Sequence, residues 1–330
     1  MKQSGLIIKY PQPQDYILGG ETAVKGITRT DNWYEWLPMP EKQYTPDFDT
    51  LSCTSFSFTN VAETQLNYMI KNELGGDAVK WLTDNGYIED GKVNLSDRFL
   101  AIMSGTTENG NDMRTVAECA RLNGLIPEKD FPMGGIDFES YHDKSLITDA
   151  MKAKGKEFLK YINIMWEWSF SDSLAGFHEE AQVMQVLSET PLQMAIPTPA
   201  THATTLFRYD PSVKWFKVFD SYEPFYFENS ADVWNPQIGM RVALSKKIVL
   251  TPTPVDDSYL FNQLLKYGST GEDVVQLQRL LIKQGFLKVG LDTGKFLKLT
   301  EQAVKNFQMK YGLVPDGIVG AKTNYVLNNL

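Results

Sequence analysis

Apolar residues recur at helical spacing downstream of Cys53. Ala62, Leu66, Met69 and Ile70 share one face, so the run Cys53-Thr-Ser-Phe-Ser-Phe-Thr-Asn-Val-Ala62 reads as the head of an amphipathic helix. A second helix is expected from Arg114 to Leu122, with Cys119 turned inward beside Val116 and Ala120. Pro191-Leu-Gln-Met-Ala-Ile196 and Val213-Lys-Trp-Phe-Lys-Val-Phe219 are strand-like. The pattern breaks at Val249-Leu-Thr-Pro-Thr-Pro-Val-Asp-Asp257, whose prolines, threonines and acids read as a linker. Beyond it the helical period returns. Val274, Leu277, Leu280 and Leu281 form one face, closed by Gly285. Thr300 is expected to cap a second helix lined by Ala303, Val304 and Phe307. Gly312, Pro315, Asp316 and Gly317 predict a turn, and Thr323, Val326 and Leu327 a third short helix.

These breaks divide the 330 residues into an expected domain over 1–248, a linker over 249–260 and a small helical bundle over 261–330. Charge follows the same division. The chain carries a net −9, yet residues 261–330 hold nine Lys/Arg against five Asp/Glu, which leaves the first part strongly acidic. That acidity argues against a general nucleic-acid binder. No stretch approaches the roughly 18 consecutive apolar residues of a membrane span. The apolar run Gly5 to Ile8 is too short for a secretory signal. With only Cys53 and Cys119 there is no disulfide framework. Three histidines and no C-x-x-C or H-E-x-x-H spacing argue against metal catalysis, and no cofactor is expected.

The chemistry then falls on Cys53. A cysteine at a helix N-terminus feels the positive end of the helix dipole, which favours the nucleophilic thiolate. The bland alternative, a small core residue, also fits a lone cysteine in an aromatic-rich helix. His202 lies 149 residues downstream in Ala200-Thr-His-Ala-Thr-Thr-Leu-Phe-Arg-Tyr209, ahead of the strand ending at Phe219 and then Asp220-Ser-Tyr. A base needs a partner that holds its ring in the right tautomer, and Asp220 stands where a paired strand would present it. His142 and His178 sit among acids and read as surface residues, and Trp166 and Trp168 as core.

The C-terminal pattern resembles the three-helix peptidoglycan-binding module of wall hydrolases. Gly268-Ser-Thr-Gly271, Val274-x-x-Leu277-Gln278, Gly285-Phe286-Leu287, Thr300-x-x-Ala303-Val304-x-x-Phe307-Gln308 and Gly312-Leu313-x-x-Asp316-Gly317-Ile318-Val319-Gly320 carry that likeness. Leu297-Lys298-Leu299 departs from it, where the family has a glycine. The run Cys53-Thr-Ser-Phe-Ser57, together with His202-Ala and Asp220-Ser-Tyr222, resembles the papain-like cysteine peptidases of bacteria and phages, over about residues 10–245. The resemblance implies an α+β fold, with a helical lobe and an antiparallel β lobe followed by the helical bundle. It implies a Cys53–His202–Asp220 triad, with Asp220 replacing the family's asparagine. It also implies a glycine strand that pairs with substrate backbone, for which Gly105 and Gly110 are candidates. The family's oxyanion-hole glutamine falls at Asp47 by spacing. Gln43, four residues earlier, takes the role if residues 44–47 bulge.

Together these readings imply an endolysin-like peptidoglycan hydrolase that cuts amide bonds of stem peptides or cross-bridges. It is expected to be a monomer, with peptidoglycan as partner and neither nucleic acid nor membrane. It would be made in the cytoplasm and reach the wall by phage-type lysis, unless a leader has been trimmed. Other readings stay open: a catalytically silent papain-like scaffold of a virion or wall protein, for which Asp47 speaks; an NlpC-type peptidase, whose cysteine–histidine spacing is shorter; and a peptidase of surface proteins.

Overall fold

The computed structural model describes residues 5–11, 15, 32–169, 180–196, 201–230, 238–246, 259–288 and 291–330. Most of the expected linker, and His178, lie outside the described residues. The chain divides into two compact units, Met1–Lys247 and Ile248–Leu330.

The first unit is mixed α and β. Its N-terminal half carries α1 (Cys53–Lys71), α2 (Asp77–Asp84), a two-stranded ribbon of β1 (Ile88–Glu89) and β2 (Lys92–Val93), α3 (Asp97–Ser104), α4 (Met113–Asn123), the single turn α5 (Phe138–Tyr141) and α6 (Asp149–Tyr161). The second half supplies β3 (Ile162–Trp168), α7 (Glu180–Leu187), β4 (Leu192–Ile196), β5 (His202–Asp210), β6 (Trp215–Phe219), β7 (Tyr226–Ser230) and β8 (Gly239–Lys246). The last six strands form one antiparallel sheet in the order β3-β8-β4-β5-β6-β7. β6 begins two residues later than the apolar run suggests, because Val213 and Lys214 form the turn and Lys214 takes φ 55°.

Helix α1 is the axis of this unit. It packs on β5 and β8 with one face and on α3 and α4 with the other, so nearly all of it is buried. Its apolar side chains Phe58, Val61, Ala62 and Leu66 enter the main core. Each large one contributes roughly 1.5–3 kcal/mol by leaving water. Burial on both faces also traps polar residues, and several of these tie the helix to its neighbours. Gln65 donates to the Val242 carbonyl at 2.9 Å and accepts from Leu244 N–H at 3.0 Å, which pins α1 to β8. Asn67 accepts from Val93 N–H, and Glu63 from Leu95 N–H.

The second unit has its own core of Val274, Leu277, Leu281, Val304, Phe307 and Leu327, drawn from α8 (Glu272–Lys283), α9 (Lys298–Lys310) and α10 (Ala321–Leu327), with Phe296 from the loop before α9. Two buried glutamines repeat one device. Gln278 accepts from Gly294 N–H and donates to Thr300 Oγ1, while Gln308 accepts from Gly317 N–H and donates to Asp316, Ile318 O and Thr323. Thr300 is therefore not the cap expected from sequence. α9 starts at Lys298, and the Thr300 hydroxyl is used inside the bundle by Gln278. Gly285 follows α8 at φ 78°, in the left-handed region that a side chain rarely adopts.

Candidate active site

Cys53 is the first residue of α1, and the sheet reaches this helix end directly. Gln193 on β4 donates to Thr54 O at 2.9 Å and to Ser57 Oγ at 2.8 Å, and Thr205 on β5 donates to Ser57 O. These bonds fix the first turns of α1 against β4 and β5. His202 opens β5, opposite Ile196 of β4. β6 runs back along β5, pairing Phe219 with Thr205, so the next residue, Asp220, returns to the His202 end of the sheet.

There the His202 Nε2 and Asp220 Oδ1 lie 2.6 Å apart. The same oxygen accepts Tyr222 N–H at 3.3 Å, and Asp220 N–H is tied to Phe225 O at 2.8 Å. The carboxylate is thereby held while it orients the ring. With Nε2 engaged, Nδ1 makes no conventional hydrogen bond and is the nitrogen left for the Cys53 sulfur. Burial opposes a charge on this ring. The negative charge of Cys53, with its hydrogen bond and those of Asp220, outweighs burial and pushes the His202 pKa up to about 10. The His202 ring is therefore set to keep its proton at neutral pH, beside a helix end that carries about half a positive charge.

Gln43 joins this region, though not in the orientation expected from sequence. Its Nε2 donates to Asp49 Oδ1 and to Tyr222 OH, each at 3.0 Å, while its Oε1 accepts from Ser221 Oγ at 2.7 Å. The amide is thus committed to the loop after Asp220, and no hydrogen bond joins it to Cys53. Tyr222 hydrogen-bonds Asp49 and sets its ring edge-on to His202, with centroids 5.1 Å apart. Asp47 is exposed in a tight turn in which Thr45 N–H donates to Phe48 O.

Gly105 has a structural role of its own. It is the left-handed C-cap of α3, and open space lies where a side chain would stand. Helix termination in the left-handed region accounts for this glycine. A Cβ on Gly110 would stand 2.0 Å from the carbonyl oxygen of Gly5, where a Cβ would in turn stand 3.1 Å from the Cys53 sulfur. His142 also differs from the surface reading. It is half-buried, lies tilted against Phe138 with ring centroids 4.3 Å apart and bonds Thr50 O at 2.8 Å, and burial lowers its pKa. Cys119 is buried in α4, where desolvation raises its thiol pKa. Trp166 and Trp168 are buried, with their indole N–H groups donating to Glu118 and Asp15. Sequence reasoning missed Asp49, Ser221 and Tyr222. The Asp220-Ser-Tyr222 run was a usable signal for the last two, whereas nothing in the sequence marks Asp49.

A second polar cluster lies beside α1 and α3. Glu41, Glu63, Asp97 and Glu128 converge next to a cavity of about 280 Å³ lined by Glu41, Phe56, Asp97, Arg98, Glu128 and Tyr141. Desolvation raises the pKa of every one of these carboxyls, and that of Glu128 reaches about 8. Among the described residues, no group of three or more His, Cys, Asp or Glu is placed to hold a metal ion, and no helix is long and apolar enough to cross a membrane.

The first unit is thus a mixed α and β body with a buried Cys–His–Asp constellation at the junction of helix and sheet. Comparison with known proteins identifies the second unit more closely. Residues 270–327 match the peptidoglycan binding domain family. The chain is 46% identical over 66 residues to the spore cortex-lytic enzyme of Bacillus cereus, covering 20% of this chain and 25% of that one. It is 45% identical over 67 residues to the spore cortex-lytic enzyme of Bacillus subtilis, covering 20% and 22%. The chain therefore spans about a quarter of the length of the curated relatives it matches. The crystal structure of the SleB N-terminal domain is 42% identical, covers 22% of this chain and 96% of its own, and has a TM-score of 0.21. Xylellain, a cysteine protease from Xylella fastidiosa, is 16% identical, covers 75% of this chain and 97% of its own, and has a TM-score of 0.45.

Proposed function

We propose that this chain is a peptidoglycan hydrolase whose first unit is a papain-like cysteine peptidase and whose second unit holds it on the polymer. The observation that carries the reading is His202 bonded through Nε2 to Asp220 with its other nitrogen left to Cys53. In the reaction, the Cys53 thiolate attacks the carbonyl carbon of a stem-peptide or cross-bridge amide. A C–S bond forms and the carbonyl oxygen takes the negative charge, at the positive end of α1. His202 then gives its proton to the departing nitrogen as the C–N bond breaks, leaving a thioester and a free amine. Water adds to the thioester with His202 accepting one of its protons, the C–S bond breaks to restore the starting ion pair, and the carboxylic acid product leaves and gives its proton to solvent.

The peptidoglycan-binding match supports the choice of polymer, and the likeness to enzymes named for lysing the spore cortex points the same way. Tethering raises the effective concentration of scissile amides without any new contact at the peptidase. An endolysin, released when a phage lyses its host, is the delivery route this architecture suits. The test is digestion of purified sacculi followed by mass spectrometry of the released fragments. New amine and carboxyl ends at one amide position, absent with Cys53→Ala, support the reading. Fragments with new reducing sugar ends, or none at all, reject it.

A further inference from the structure

Aromatic surface gains by leaving water, so exposed rings that gather in one place mark a surface with a use. Among the described residues of the first unit, four tyrosine or tryptophan side chains are more than a third exposed: Tyr10, Tyr34, Trp215 and Tyr226. The last three lie at the β5-β6-β7 end of the sheet. Tyr34 is fixed there by its neighbour, because Trp33 N–H donates to Phe207 O at 3.0 Å and the buried Trp33 indole N–H to Leu187 O at 2.8 Å. The Tyr34 ring centroid lies 5.8 Å from that of Phe207 and 5.9 Å from that of Tyr226. Trp215 stands two residues along β6 from Lys217, on the same side of the strand.

These rings border a cavity of about 360 Å³, within the roughly 300–1,000 Å³ of small-ligand sites. A bulge between Leu206 and Arg208 breaks the alternation of β5, so Phe207 and Arg208 both line it. Lys217 lies opposite Glu228 across β6 and β7 and pairs with it at 2.6 Å. Among the described residues, the Arg208 guanidinium makes no side-chain hydrogen bond or ion pair, and the hydroxyls of Tyr34 and Tyr226 make no hydrogen bond. The cavity is distinct from the Cys–His–Asp constellation, none of whose residues lines it. Arg208 is six residues from His202 along β5, about 20 Å at the rise of a strand.

The mixture of rings and spare donors selects a chemistry. A dry protein interface is poor in charge at its centre, whereas here Arg208, Lys217 and Glu228 line the hollow itself. A pyranose ring presents C–H groups on its faces and hydroxyls around its edge. Its face packs on an exposed tyrosine or tryptophan, and its edge bonds the phenol hydroxyls, the Arg208 fork and the Lys217–Glu228 pair. The second unit matches a peptidoglycan-binding family over residues 270–327, so the sugar polymer at hand is the wall glycan.

We propose that this cavity is a saccharide site on the first unit, which takes a pyranose segment of the peptidoglycan glycan strand. The inference rests on the reading of peptidoglycan as the polymer, and not on the chemistry assigned to Cys53.

The experiment is calorimetric titration of the full chain with chitotetraose, a peptide-free oligomer of N-acetylglucosamine, in wild type, Tyr34→Ala, Trp215→Ala and Arg208→Gln. Each form is first checked by circular dichroism and thermal melting. Each variant is expected to bind on the order of tenfold more weakly than wild type. The second unit is a competing place for sugar, so wild type is also photo-crosslinked to chitotetraose carrying a diazirine, and the modified residues are mapped by peptide mass spectrometry. Crosslinks at Tyr34 or within 207–228 support the site. Absence of binding, equal affinity in all four forms, or crosslinks confined to residues 259–330 overturn it. A sugar-free stem peptide that displaces the crosslinks at the cavity also overturns it, in favour of a peptide groove. Amide hydrolysis of sacculi by wild type is scored separately. Sugar held at the cavity without hydrolysis leaves the saccharide site standing and removes the peptidase reading, whereas hydrolysis with sugar held only by the second unit does the reverse.

Discussion

His202 Nε2 lies 2.6 Å from Asp220 Oδ1, and the oxygen that holds the ring is itself held by Tyr222 N–H. This pairing leaves one ring nitrogen for sulfur chemistry and makes the imidazolium hard to deprotonate. Burial alone would lower the pKa of His202, but the charges of Cys53 and Asp220 raise it to about 10.

Asp220→Asn and Asp220→Ala are expected to fall in that order of damage. Asparagine keeps an acceptor for the ring but loses the charge, so it should retain much of the turnover. Alanine loses both and should cost on the order of 100-fold or more. The proton linkage has a definite sign. A raised histidine pKa means the charged ring supports the folded site below about 6.5, its ordinary value, and that support is lost as pH rises through about 10. The alkaline limb of kcat/KM should therefore move to lower pH in Asp220→Asn. Unchanged limbs in both variants would show that Asp220 does not orient the base.

Cys53→Ala should abolish amide hydrolysis while leaving the melting temperature within a few degrees, since the lost thiol is small. Cys119→Ala should leave turnover within about twofold, because that thiol is buried in α4 and its pKa is raised. The comparison is read from initial rates on solubilised wall fragments. Full activity in Cys53→Ala would end the proposed mechanism.

Gln43→Ala should cost stability as well as turnover. The side chain donates to Asp49 and Tyr222 and accepts from Ser221, all in a buried setting. Removing it strands these partners at about 2–4 kcal/mol in total. Urea denaturation gives the stability loss, and rates in the folded range give the catalytic one. A stable variant with a 100-fold loss of turnover would place the amide at the oxyanion, as the family resemblance implies.

Glu128→Gln should stabilise the protein more at pH 8 than at pH 5. Burial and the charge of Glu41 raise the Glu128 pKa to about 8, so the folded state binds this proton more tightly than the unfolded state. Its contribution is full below about 4.5 and is lost as pH rises towards 8. Glutamine keeps the acceptor for Met133 N–H and needs no proton. The expected gain is roughly 2–4 kcal/mol at pH 8 and small at pH 5, measured by denaturant titration. Equal gains at both pH values would contradict the buried-carboxyl account.

Residues 259–330 alone should sediment with insoluble peptidoglycan. They hold a separate core, match the binding family over 270–327 and are rich in lysine. Gln308→Leu should unfold or loosen this unit, because Gly317 N–H, Asp316 and Thr323 all use that amide. Wild-type protein left in the supernatant at low salt would contradict the binding assignment.

Local pattern and spacing sufficed for much of this. The helical period after Cys53, the return of that period past residue 260 and the Phe307-Gln308 and Asp316-Gly317 pairs are properties of short stretches, and short stretches report which face is buried. His202 and Asp220 were legible for a related reason: each sits at the end of a strand, and strand ends show in the apolar runs. What only tertiary structure decided involves partners far apart in the chain. Gln43 was picked out by its distance from Cys53, but its amide is directed by Tyr222 and Ser221, nearly 180 residues away. Gly105 and Gly110 look alike in sequence. One ends a helix and the other lies under Gly5, a contact made across more than 100 residues. The apolar run Gly5–Ile8, read locally, was too short to be a signal. Its placement over the sulfur arises from Asn111 and Thr201 closing on it from both sides. Local sequence determines which faces are apolar and where chemistry-bearing residues stand, whereas long-range hydrogen bonding selects which of them meet.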